Sequence, residues 1–503
     1  MRQNVRTVCI EAPSGWSGAS TPVDATHSYT VLERWLGPSA PRRTIGNVID
    51  SRPALAVVGT AHHTPTASAL EVLSNVTITV DSSGTITGVH AAGTAEADAA
   101  VLQAERVVHL AAHERLLPGV VDLHLHAPQW PQLGTGLDIP LERWLFEYTF
   151  PLEARYSDPD FAATVWGHMV PTLLAHGTTT TVYFSSVDEA ATTLLAEQCV
   201  QSGQRAFVGR VAMDHPEGTP QWYRDESAAA GVEASHRSIE SIRAVGGAAA
   251  LVQPIVTPRF VPACTDELLG GLGELAARTG TLVQTHCSES DWEHQAVHER
   301  FGRSDARVLH DFGLLRDGTV LAHGDHLGDD DLDLLASTGA GVAHCPLSNS
   351  YFANAVFPVR RALARGVRVG LGTDVAGGAE PGVLSQCGMA VTVARMLEDG
   401  VDARVPPSSR GVPGARLDLV TAFHLATAGG ADVLGLPVGR FQVGCQFDAF
   451  VVDTSGAAGS RVRQWGEVDD EARLFEKIVR LAGPSEIARV WVAGREVAGS
   501  RQR

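Results

Sequence analysis

The chain has 503 residues, 44% hydrophobic and 19% charged, the composition of a globular protein long enough for one large barrel domain and a satellite. Its 57 acidic residues outnumber 39 basic ones, and a formal net charge of −18 repels a phosphate backbone, so nucleic acid is not an expected partner. No apolar run approaches the ~20 residues of a membrane span, so no membrane partner is expected, and seven scattered cysteines without a CxxC pair argue against a disulfide framework or a thiolate zinc site.

The first segment, MRQNVRTVCIEAPSGWSG, lacks the apolar core and cleavage site of a signal peptide because Glu11 and Pro13 interrupt it, which predicts a cytoplasmic protein. Residues 1–53, rich in Ser, Pro, Arg and Thr, read as a partly ordered extension. From 54 to 116 the runs ALAVVGT, NVTITVDSSGTITGV and RVVHL are β-branched and broken by Gly, Ser and Asp, which predicts short antiparallel strands. From 117 to 434 strand patterns alternate with long polar–apolar helical stretches. The strands are expected at 120–126, 178–184, 206–213, 250–256, 281–287, 319–323, 341–345 and 367–374. Eight parallel strands close a TIM (β/α)8 barrel, whose catalytic groups sit at the carboxyl ends of the strands. Residues 435–498 return to short strands, DAFVVD and ARVWVAGREV, and are predicted to join 54–116 in one small β-sandwich domain formed by both chain ends. Residues 499–503 form a tail.

Polar residues gather at the predicted barrel-strand ends: His124, His126, Tyr183, Asp214, Arg259, His286 with Glu289, His323, His344 and Asp374. A packed barrel interior has no structural need for them. In His124-Leu125-His126 the two imidazoles leave an extended strand on the same face. With His286 and Asp374 they make a metal-ligand set of imidazole and carboxylate without thiolate, which suits zinc or a neighbouring divalent ion. The bland alternatives are a hydrogen-bonded core histidine and a helix N-cap aspartate; His62, His63, His298, His310 and His344 are assigned to that structural class. Glu289, three residues past His286, is placed to serve a metal-bound water as acid or base, or else to complement a helix dipole. Arg259 is either a substrate ligand or a solvated strand-end charge. His215-Pro216-Glu217 offers half of a different deaminase motif, but the PCxxC half is absent.

The segments PGVVDLHLHAPQ, RWLFEYTFPLEARY, HGTTTTVYF, GQRAFVGRVAMD, PIVTPRF, QTHCSES, VLAHG, AHCPLSNS, GLGTDVAGG and FQVGCQFDAFVVD together resemble the amidohydrolase superfamily, and more narrowly its guanine deaminases, from about residue 105 to 497. The HxH, the THxxE-like segment and the GTD are shared across the superfamily; HAPQ, EYTFPxE and TPRF point to guanine. The resemblance implies hydrolytic deamination of guanine to xanthine and ammonia in purine catabolism or salvage. It implies one zinc ion per chain held by His124, His126, His286 and Asp374. Glu289 would shuttle protons, His323 would sit beside the attacking water, and Asp374 would also take a proton. Gln129 and Arg259 would grip the purine, with Phe260 against the ring. It also implies a homodimer. Lys477 is the one lysine of the chain, so the barrel lacks the carboxylated lysine that bridges two-metal sites, which favours a single ion. The segments around 215–249 and 347–366 match weakly and are expected to tune the pocket. Two rival readings are a relative acting on another aminopurine, a pterin or a triazine, and a catalytically dead barrel that only binds.

Overall fold

The computed structural model describes residues 6–8, 52–246, 251–353 and 355–499; the expectations for most of the extension and for the tail lie outside these residues. The eight barrel strands are β1 (Val120–His126), β2 (Thr178–Phe184), β3 (Arg205–Gly209, continued past Arg210 by Val211–Ala212), β4 (Val252–Pro258), β5 (Leu282–Cys287), β6 (Val320–His323), β7 (Gly341–His344) and β8 (Arg368–Leu371). They pair in parallel, in chain order, from β1 to β8. Every residue of β1 and β2 is buried, which is why both read as unbroken apolar or Thr-rich runs rather than alternating ones.

The ring closes between β8 and β1 just beyond the last paired residue. Asp374 N–H donates to the His124 carbonyl at 2.8 Å and His126 N–H to the Val375 carbonyl at 2.9 Å. The Asp122 carboxylate clamps the seam, accepting from Thr373 N at 2.9 Å, Thr373 Oγ1 at 2.6 Å and His124 N at 3.2 Å. Gly372 permits this approach: a Cβ there would lie 2.9 Å from both His124 Cβ and Cys345 Sγ.

The two ends of the described chain meet in a second sheet. Strands Leu55–Thr66 and Ala69–Val80 form a hairpin, and Glu114–Pro118 pairs antiparallel with Ala449–Asp453, from Glu114 opposite Asp453 to Pro118 opposite Ala449. Ile487–Val492 and Arg495–Ala498 extend that arm. All of these strands belong to one hydrogen-bonded sheet, so the expected sandwich consists of two arms that share a core including Val57, Ile78, Phe447, Val451 and Trp491. The sheet is mixed rather than purely antiparallel, because Arg106–His109 and Glu114–Pro118 both run parallel to Leu55–Thr66. Two helices interrupt the expected strands. Ala95–Gln103 is alanine-rich and capped by Thr94 Oγ1, and Glu471–Leu481 is capped by Asp470 and buries Leu474, Phe475, Ile478 and Val479 at helical spacing.

Arg205 at the start of β3 joins barrel to sheet. Its Nε and Nη2 donate to Asp448 at 3.0 and 3.1 Å, and both residues are buried. Removing one partner of such a pair strands the other charge, so Asp448→Ala is expected to cost about 3–5 kcal/mol. A urea-unfolding midpoint that moves by less than ~1 kcal/mol equivalent would show the pair to be dispensable.

Candidate active site

Asp122, His124 and His126 alternate along β1 and so share one face. Four side chains converge there. His126 Nε2 lies 2.9 Å from His286 Nε2, and Asp374 Oδ1 lies 3.1 Å from His124 Nε2 and 3.5 Å from His126 Nε2. Ligand atoms at the corners of a tetrahedron with ~2.1 Å metal bonds stand about 3.4 Å apart, so the spacing fits one ion. The donor chemistry fits as well. His286 Nδ1–H donates to the Arg259 carbonyl at 2.5 Å, which leaves Nε2 as the lone-pair nitrogen. His124 Nε2, the ring nitrogen that faces Asp374, is buried without a hydrogen-bond partner, an orphaned lone pair that a bound cation would engage. Burial pushes His124, His126 and His286 well below the usual imidazole range, keeping them neutral as ligands must be. The Phe184 ring, 4.8–4.9 Å from all three imidazoles, walls off the site.

Glu289 and His323 approach from β5 and β6. His323 Nε2 lies 3.8 Å from Glu289 Oε1 and 3.9 Å from Asp374 Oδ2. The helix Asp291–Phe301 is capped by Ser290 Oγ, which accepts from Glu293 N, while the Glu293 carboxylate accepts from the Glu289 N–H. The helix dipole therefore makes no call on the Glu289 side chain, which faces the site. His323, Asp374 and Ser288 all have positive φ, at 74°, 49° and 53°. Three non-glycine residues held in that region around one centre mark it as a strained functional locus.

Beside the convergence point lies a cavity lined among others by His126, Gln129, Arg259, Phe260, Glu289 and Asp374. The residue that organises its polar wall is Glu153, the last residue of the EYTFPLE segment, for which the sequence suggested no role of its own. Glu153 is 1% exposed and accepts from Arg259 Nη1 and Nη2 at 2.7 and 3.2 Å, Gln129 Nε2 at 3.0 Å and Tyr223 Oη at 3.0 Å. Gln129 Oε1 accepts from Ala376 N at 3.2 Å, so both ends of its amide are anchored. Arg259 is thus a buried, neutralised donor, not a solvated strand-end charge. Tyr223, which bonds Glu153, and Phe352, which lines the cavity, come from the two weakly matched segments.

Not every strand-end polar residue joins this site. Tyr183 points away, its hydroxyl donating to Gln204 at 2.7 Å, because Phe184 takes the inward position on β2. Asp214 accepts from both the backbone and the hydroxyl of Thr265 at 2.7 Å, which fixes the residue that caps the next helix. His62 and His63 lie in the second sheet against Glu471 and Glu71. His344 is buried with neither ring nitrogen hydrogen-bonded.

Burial, reinforced by the Asp374 charge, raises the Glu289 carboxyl from 4.5 to about 8. Between those values the folded, metal-free chain holds a proton that the unfolded chain has released, so stability falls as pH rises through that window. Glu289→Gln removes this titration and is expected to flatten the decline of the metal-free urea midpoint between about pH 5 and about pH 8. An unaltered slope would exclude Glu289 from the effect.

The geometry is matched by known proteins. A model of the amidohydrolase family matches residues 115–497. A probable guanine deaminase of Schizosaccharomyces pombe is 38% identical over 451 residues, covering 88% of this chain and 83% of that one. Guanine deaminase of Homo sapiens is 33% identical over 447 residues, covering 87% and 95%. Among solved structures, guanine deaminase from C. acetobutylicum with guanine bound in its active site superposes with a TM-score of 0.77 at 28% identity, covering 88% of this chain and 99% of that one. With the convergent histidines, the strained Asp374 and the anchored Arg259 all inside the matched region, the chain belongs to the amidohydrolase family, on its guanine deaminase branch.

Proposed function

We propose that the protein catalyses the hydrolysis of guanine to xanthine and ammonia, with one zinc ion per chain. The observation that carries this reading is that His126, His286 and Asp374 of the donor set and Gln129 and Arg259, both held by Glu153, line one cavity. His124, His126, His286 and Asp374 would hold the ion, whose contribution when bound is to bring the pKa of a water towards neutrality. Lys477, the one lysine, binds Asp469 Oδ2 at 2.5 Å on a helix outside the barrel, in keeping with a single ion.

The frame suits a neutral, planar, amide-bearing base. Two Arg259 N–H groups are spent on Glu153, and the charge is balanced there, so the remaining donors serve a carbonyl oxygen and ring edge rather than an anion. Gln129 presents its remaining N–H and lone pair in a fixed orientation. Phe260, 4% exposed and 6.2 Å from the His286 ring, offers an apolar face for the purine. A base that leaves these buried groups unpaired is rejected.

In the reaction the oxygen of water bonds to C2 of guanine and the C2–amine bond breaks. Asp374 takes the proton released by the water. The Glu289 carboxyl, its pKa raised by burial, gives its proton to the ring nitrogen beside C2, takes up the proton left on the new C2 hydroxyl as that becomes the carbonyl and passes it to the departing amine, which leaves as ammonia; the proton on Asp374 then restores Glu289. The six described cysteines are all free and buried, which agrees with action in a reducing compartment such as the cytoplasm. No described helix is long and apolar enough to cross a membrane. A homodimer is the assembly we propose with this activity.

Zinc-loaded protein incubated with guanine is expected to release xanthine and ammonia in equal amounts, with adenine, cytosine, pterins and triazines as comparisons. No turnover of guanine by folded, metal-replete protein would overturn the reading, and turnover of another ring alone would redirect it. Glu289→Gln is expected to retain zinc by elemental analysis while losing about 10²–10⁴-fold in kcat/KM. Asp374→Ala is expected to lose the metal itself.

A further inference from the structure

The helix Pro346–Phe352 sets Asn349 against His323. Asn349 is 4% exposed, and both ends of its amide are engaged. Nδ2 donates to Asp325 Oδ1 at 2.7 Å, and Oδ1 lies 2.9 Å from His323 Nδ1. A carboxylate oxygen only accepts, so the amide nitrogen faces Asp325 and the amide oxygen faces His323. That oxygen has no proton to give, so the shared proton sits on His323 Nδ1. Burial raises the Asp325 carboxyl, but Oδ2 is the oxygen without a hydrogen-bond partner, so a proton held there leaves Oδ1 the acceptor and keeps the polarity of the chain.

A neutral imidazole carries one ring proton, which leaves His323 Nε2 a bare lone pair. This atom is buried without a hydrogen-bond partner, beside Glu289 Oε1 and Asp374 Oδ2. We propose that Asp325 and Asn349 are positioning residues that lock His323 as its Nδ1-protonated tautomer, so that Nε2 faces the reacting centre as a hydrogen-bond acceptor for the attacking water. The proposal rests on the hydrolytic reading of the site. Neither Asp325 nor Asn349 touches the substrate cavity; both act through the imidazole.

The tautomer is read directly by ¹⁵N NMR of histidine-labelled protein, with the His323 signals identified by their loss in His323→Asn. Wild-type protein is expected to show protonated Nδ1 and bare Nε2, and Asn349→Leu to lose that fixed pattern. Kinetics on guanine give the second readout. Asn349→Asp removes the donor to Asp325 and sets two carboxyls together; kcat is expected to fall about 10- to 100-fold with KM within about threefold. Asp325→Asn combined with Asn349→Asp restores the donor–acceptor order and is expected to recover at least about tenfold of that loss, with thermal melts confirming that each variant is folded. An Nε2-protonated His323 in the wild type, or a double variant no better than Asn349→Asp alone, would overturn the proposal. Were the wild type inactive on guanine, the functional reading would fail while the NMR result still decided the tautomer.

Discussion

The seam between β1 and β8 is the constraint on which the site depends. The paired ladder of β8 ends at Leu371, and the ring is completed by two backbone bonds and the Asp122 carboxylate. The same few residues that close the barrel carry His124, His126 and Asp374, so barrel closure and ligand placement are one event. Asp122 itself pays an electrostatic penalty for this: burial raises its carboxyl to about 7 despite the three donors it accepts. A fold that places a buried carboxyl at its closure point has coupled the integrity of its core to the geometry of its chemistry.

A second organising feature is the concentration of ionisable groups that burial opposes. Glu289, Glu293, Asp325 and Asp374 are all raised, and the imidazoles around them are lowered. Such a centre weakens the metal-free fold and is relieved by a cation, so ligand binding and folding are linked. Arg259 and Glu153 solve a related problem differently, by pairing a buried charge bidentately and packing the guanidinium over the Phe150 ring at 4.9 Å.

Much of this was legible in the sequence because it obeys local rules. The eight barrel strands fall where apolar runs end in polar residues, and HxH on a strand defines a shared face without knowledge of the rest. The second sheet was less legible: its parallel pairings depend on partners distant in the chain, and Ala95–Gln103 lies among strands whose patterns dominate the window. Glu153, Tyr223, Asn349 and Asp325 carried no signal of their own, since a carboxylate or amide becomes functional only through the partner that the fold brings to it. A carboxylate ending a helical turn opposite a barrel-strand arginine is a hint, as in EYTFPLE and TPRF, but only their contact makes it an inference. Tyr183 shows the reverse case: a polar residue in the right position along the strand that faces the wrong way by one residue.

The joining of both chain ends in one sheet also bears on biosynthesis. The strand Glu114–Pro118 leaves the ribosome with one edge unsatisfied, and its partner Ala449–Asp453 follows roughly 330 residues later, on the order of tens of seconds at ordinary synthesis rates. All five residues of that strand are buried in the finished protein. For the whole interval the nascent chain carries an open strand edge whose native cover is the distant Ala449–Asp453 segment, so a late-translated strand is what makes an early one safe from self-association.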